Sequence, residues 1–269
     1  MEKTEAGNLK KYFIFTYVIF WLLLGLTGYL ISLDVPLLLQ NILKNISSAA
    51  PTLIIIIMFK KLYPNITVKE YLKLHFMKTI KLGDFFFSFL LQLLLAAAAV
   101  LSYFLIRNVP LKSITFIASS SVIPVLIMDL TSGALGEELG WRGYVLNILQ
   151  KKFTPLTSGV IVGMIWGMWH LPLMILSGYS GLELTQYMVS FMVAVVSFSV
   201  IITLFYIKSK NILIAMWMHF WFNFLLKIVI IDLLPLLTYI AAGYLVSAIL
   251  IVLINKDKLI SRTLIGENK

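Results

Sequence analysis

Apolar residues along this chain come in long unbroken blocks, not at the spacing of an amphipathic helix or the alternation of a half-buried strand. A helix needs roughly 20 mostly apolar residues to cross about 30 Å of hydrocarbon. Blocks of that kind fill most of the sequence and predict an all-α, polytopic membrane helical bundle of about eight transmembrane helices. The spans lie near 12–33, 43–62, 84–107, 115–150, 155–176, 184–207, 212–231 and 233–254. The second is the weakest, because Pro51 interrupts it. The fourth is too long for one straight crossing and contains Thr131, Ser132 and Gly133, where a helix can bend or break. Residues 1–269 read as a single integral-membrane domain.

Composition sharpens this picture. The chain is 60% hydrophobic and 13% charged, with a mean hydropathy of +0.96. A soluble domain needs more polar surface to stay dispersed in water. Lys and Arg, which favour short cytoplasmic loops, alternate from connection to connection. Lys3, Lys10 and Lys11 precede the first span, and the first connection has Asp34 and no base. The second carries Lys60, Lys61, Lys69, Lys73, Lys78 and Lys81. Lys151 and Lys152 lie in the fourth, Lys208 and Lys210 in the sixth, and Lys256, Lys258 and Arg262 in the tail. The fifth and seventh have Glu183 and Asp232, and only the third, with Arg107 and Lys112, breaks the pattern. An even number of spans with both termini cytoplasmic follows. The net charge of +10 then reflects topology and contact with anionic membrane lipids, not nucleic acid. The first apolar block is longer than a signal-peptide core, so it reads as a retained span. The chain has no cysteine, which excludes disulfides and thiolate chemistry. Between the second and third spans, Thr67 and Glu70 have capping-box spacing, with Tyr71, Leu72 and Phe76 following on one face. They predict a short helix in the interface, where His75 reads as a surface residue.

The chemistry lies in the polar residues inside the apolar blocks, since ionisable groups in hydrocarbon cost several kcal/mol. The fourth span holds Glu137, Glu138 and Arg142, the fifth His170, and the seventh His219 and Asn223. Glu138 and Arg142 are four apart and can pair on one face, which leaves Glu137 for water or substrate. His219 and Asn223 also share a face. At about 1.5 Å per residue, Glu137 lies roughly 20 Å from the basic end of its helix, His170 about 22 Å, Asn223 about 18 Å and His219 about 12 Å. All four can reach one layer. Gly159, Gly163 and Gly167 form one small-residue stripe, and Gly133, Gly136, Gly140 and Gly143 another. Such stripes let helices approach closely. Docking the two on each other is expected to bring Glu137 and His170 together. Beyond the site residues, Asp129 and Lys227 are expected to form an interhelical ion pair above the cavity.

Glu137-Glu138-x-x-x-Arg142, an aromatic Trp166 four before His170, and His219-x-x-x-Asn223, in that order on successive helices, resemble the CPBP intramembrane protease family. This family is also called the CAAX-protease or Abi family. It includes the eukaryotic type II CAAX prenyl endopeptidase and bacterial bacteriocin-processing or immunity proteins. The resemblance covers roughly 128–223 and the eight-span layout, and it places the protein in a cell membrane, bacterial by expectation. Trp166 departs from the Phe the family often has there. The resemblance implies an endopeptidase acting on a peptide or protein substrate at the membrane. Glu137 and His170 would activate water, and His219 and Asn223 would hold the oxyanion. A metal variant makes Glu137, His170 and His219 zinc ligands, so the cofactor is either Zn or none. No His-Glu-x-x-His helix is present, which favours the metal-independent version. Two other classes stand beside the enzyme. One is an ion- or proton-coupled channel or transporter with a continuous water path, and the other is a noncatalytic immunity or partner-binding scaffold.

Overall fold

The computed structural model describes residues 3–261; Arg262 of the basic tail lies outside them. Among the described residues the chain is all-helical, with one isolated backbone bridge between Phe116 and Val229. The main helices are α1 (Lys3–Ser32), α2 (Leu37–Ser48), α3 (Ala50–Leu62), α4 (Val68–Phe76), α5 (Leu82–Ile106) and α6 (Ser119–Gln150). They continue with α7 (Pro155–Trp169), α8 (Leu171–Ile175), α9 (Gly181–Ser209), α10 (Ile212–Lys227), α11 (Leu233–Ile254) and α12 (Lys256–Leu259).

The eight expected spans need one revision. Five helices are long and apolar enough to cross a membrane, or six if α2 and α3 count as one bent span. The remaining two, α7 and α10, have 15 and 16 residues. They fall short of the roughly 20 needed for a full crossing. Both carry candidate site residues at or near mid-bundle.

Proline explains two of the interruptions. Pro51 has no N–H, and its ring would clash with a carbonyl one turn back, so the helix restarts with Pro51 in the first turn of α3. The axis bends by 54° there. α7 stops at His170, two residues before Pro172. The overlong α6 behaves differently from the expected bend or break. It runs on as a helix but widens into π-turns over Asp129–Leu135 and Leu139–Leu146, on either side of Gly136–Glu138. The Thr131 and Ser132 hydroxyls bond back to the carbonyls of Ile127 and Met128 at 2.8 and 2.6 Å. That pattern loosens a helix without ending it.

The two glycine stripes do not dock on each other. Gly159, Gly163 and Gly167 of α7 face Thr203, Val196 with Ser199, and Met192, all on α9. The α6 stripe faces four partners in turn. Gly133 abuts His219 and Asn223, Gly136 abuts Ala49, Gly140 abuts Tyr12 and Pro51, and Gly143 abuts Tyr71. Small residues permit close approach but do not select the neighbour.

Polar contacts group the connections into two ends, as the charges suggest. Asn8 bonds the Lys61 carbonyl, Lys151 pairs with Glu5, Lys208 with Asp84 at 2.8 Å, and Asn211 bonds the carbonyls of Phe76 and Lys78. At the opposite end 115–117 exchange backbone hydrogen bonds with 228–230, and Tyr103 bonds Asp232. The Asp129–Lys227 ion pair forms there as well.

The capping box of α4 is formed. Thr67 Oγ1 accepts from Glu70 N–H at 3.2 Å, and Glu70 accepts from Thr67 N–H at 2.6 Å. Those hydrogen bonds hold the Glu70 carboxyl below its usual range. The buried face of α4, however, is Tyr71 and His75, while Leu72 points outward. His75 is not a surface residue; it is 8% exposed, against the Tyr71 ring and 3.5 Å from the Tyr206 hydroxyl. Four-residue spacing puts positions 71 and 75 on one side, and α10 and α6 cover that side.

Burial pushes the His75 imidazole down to about 4. The unfolded chain takes up that proton near pH 6.5, so stability is present above that pH and is lost as pH falls toward 4. Thermal melts of the wild type are expected to weaken from pH 7 to pH 5, by up to about 1.4 kcal/mol per pH unit. His75→Gln should flatten that dependence. Parallel curves for the two proteins would show that His75 does not carry it.

Candidate active site

The candidate residues are brought to the centre of the bundle by α6, α7 and α10. Glu138 and Arg142 pair at 2.9 Å, and both are fully buried. This is the i,i+4 pair expected from their spacing. Glu138 Oε1 also accepts from His219 Nδ1 at 2.8 Å, a contact between spans that spacing within one helix cannot reveal. The Arg142 guanidinium lies over the Trp166 ring, 4.6 Å from its centroid.

Glu137 is separated from that ion pair and is itself held. Its Oε2 accepts from Trp166 Nε1 at 2.6 Å and from Trp141 Nε1 at 3.3 Å. Among the described residues Oε1 has no hydrogen-bond partner, and Glu137 keeps 4% exposure. His170 caps α7, with Nδ1 2.8 Å from the Trp166 carbonyl. The Trp166 ring stands 5.9 Å from the His170 ring and 5.0 Å from that of His219. One tryptophan thus borders Glu137, Arg142 and both histidines.

His219 and Asn223 converge on Gly133. A methyl group at Gly133 would lie 2.6 Å from Asn223 Nδ2 and 3.1 Å from His219 Nε2. The two polar tips pack directly against this glycine, one helical turn from Glu137. The π-turn of Asp129–Leu135 carries that glycine, and such widened turns often accompany functional sites. α10 is held from behind. Buried Gln92 donates to the Met218 carbonyl at 2.7 Å and accepts from the Tyr244 hydroxyl at 2.8 Å. α1 steadies α7, since Tyr17 donates to the Ile165 carbonyl and Trp21 to that of Trp169.

Comparison with known proteins finds likenesses to this chain. The family model described as Type II CAAX prenyl endopeptidase Rce1-like matches residues 119–225, the segment that contains all six candidates. The CAAX prenyl protease 2 of Methanococcus maripaludis is 27% identical over 237 residues, spanning 83% of this chain and 85% of that protein. The chain is thus similar to a CAAX prenyl protease over most of its length. Its apolar helices and this similarity support an integral membrane protein.

Among the described residues no three His, Asp or Glu side chains are grouped to hold a metal ion. Glu137 Oε2 is engaged by two indoles and His219 Nδ1 by Glu138. Those contacts leave Glu137 Oε1 and the Nε2 atoms of His170 and His219 open, but the three side chains are not grouped as a metal site in this arrangement. Trp141, Trp166, Gln92 and Tyr244 were missed as supporting residues in the sequence. Indoles in an apolar block read as packing, and only the departure from Phe at position 166 hinted at more.

Two substitutions probe this geometry. Arg142→Leu leaves Glu138 buried without its guanidinium, a loss of about 3–5 kcal/mol. Adding Glu138→Gln is expected to recover part of that in chemical unfolding; strict additivity would show no coupling. Gly133→Ala places a methyl against the tips of Asn223 and His219. It should leave the melting temperature within a few degrees but lower proteolytic turnover by about tenfold or more. Wild-type turnover would show that the placement of the Asn223 and His219 tips against Gly133 does not matter for cleavage.

Proposed function

We propose that this protein is an intramembrane endopeptidase that cleaves membrane-associated peptide or protein substrates with water activated by Glu137 and His170. The observation that carries the reading is the gathering of Glu137, His170 and His219 around Trp166, with Glu137 Oε1 left unbonded. The resident Trp166 carbonyl takes His170 Nδ1–H, so Nε2 presents a lone pair. Water between Glu137 Oε1 and His170 Nε2 would lose a proton as its oxygen attacks the scissile carbonyl. The proton then passes to the leaving amine, and the peptide C–N bond breaks.

The developing oxyanion would be met by His219 and Asn223. Because the His219 Nδ1 proton points at Glu138, Nε2 donates only when the ring is an imidazolium. Glu138 is then its counter-ion. Glu138 and Arg142 serve this pair without touching substrate. No step needs a metal with the donors arranged as they are. The basic end, with Lys60, Lys61, Lys69, Lys73, Lys78 and Lys81, faces the cytoplasm on this reading, and both termini lie there. The names of its relatives make prenylated proteins the first substrates to try. The Asp129–Lys227 pair would close the cavity from the other side.

Glu137→Gln, His170→Ala and His219→Ala should each lower cleavage by about 100-fold or more while the protein still inserts. Substantial turnover by purified Glu137→Gln protein would remove Glu137 as the base. Exhaustive chelation is expected to leave turnover unchanged. Stoichiometric zinc, lost and restored together with activity, would overturn the metal-independent mechanism.

A further inference from the structure

Glu137 and His170 sit on different helices, and a single residue holds both. The Trp166 indole donates to Glu137 Oε2 at 2.6 Å, and the Trp166 carbonyl takes His170 Nδ1 at 2.8 Å. The first contact fixes a torsion that is otherwise loose, since the terminal carboxylate rotor of Glu has only a broad, two-fold preference. With Oε2 held by Trp166 and more distantly by Trp141, Oε1 is the oxygen left for water. The second contact fixes the His170 tautomer. The Trp166 ring is itself held in place, with the Arg142 guanidinium over its face. Phenylalanine, which the family often has at this position, would keep the ring and the carbonyl but lose the donor.

We propose that Trp166 is a positioning residue for hydrolysis: its indole N–H sets which oxygen of Glu137 meets water, and its carbonyl sets which nitrogen of His170 does. The proposal rests on the reading of Glu137 as the base. A tryptophan that merely fills space would be equally well replaced by any ring of the same shape.

Replacing Trp166 with benzothienylalanine keeps the bicyclic shape and exchanges the N–H for sulfur. This variant, and Trp166→Phe, are expected to insert normally and to lose about tenfold or more in kcat, with KM within about twofold. The carbonyl bond to His170 survives in both. A second readout does not depend on turnover. Of the six tryptophans, only Trp166 and Trp141 should shift their indole proton resonance in Glu137→Gln, because only they donate to that carboxylate. Wild-type kcat in the benzothienyl variant beside an inactive Glu137→Gln overturns the Trp166 proposal alone. An unmoved Trp166 resonance in Glu137→Gln overturns it too. Wild-type turnover by Glu137→Gln removes the base, and with it anything there to position.

Discussion

Glu138 has no contact with solvent, yet through one oxygen it holds Arg142 on its own helix and His219 on another span. A carboxylate in that setting is tolerable only while its partners stay in place, since an unpaired buried charge costs several kcal/mol. The Glu138–His219 hydrogen bond ties α6 to α10 near mid-bundle. Everything else in the site follows from that contact. Gly133 must lack a side chain where α10 comes close, Trp166 must lie beneath the guanidinium, and Gln92 must brace the backbone next to His219.

Around this pair the bundle divides its labour. The long helices supply an apolar wall, with α9 the most buried of them. The short helices α7 and α10 and the widened turns of α6 supply the chemistry. A regular helix has no spare backbone groups with which to hold a side chain. Where α7 ends, its last carbonyls become available, and His170 and Trp21 take two of them. The interruption that makes α7 a poor span makes it a good platform.

How much of this was legible in the sequence depends on the range of the interaction concerned. Glu138 with Arg142, and Thr67 with Glu70, follow from helical spacing and appear as expected. The Asp129–Lys227 pair was reached by adding depth and helix direction to that spacing. The glycine stripes were visible as stripes, but their partners were not, because a flat ridge fits many neighbours. His75 was misplaced because a polar residue in a short amphipathic helix gives no sign of which elements fold over it. The indole donors to Glu137 were invisible for a related reason: tryptophan in an apolar block looks the same whether or not its N–H finds a partner.

Val160, Met164 and Met168 recur every fourth residue and stand exposed along the outer side of α7. That side of the helix is therefore in contact with lipid tails, although its 15 residues rise only about 22 Å. Exposed apolar surface does not stop at the break, since Leu173 and Ile175 of α8 follow His170. The helix end that carries the imidazole therefore lies within apolar surface, not at its edge.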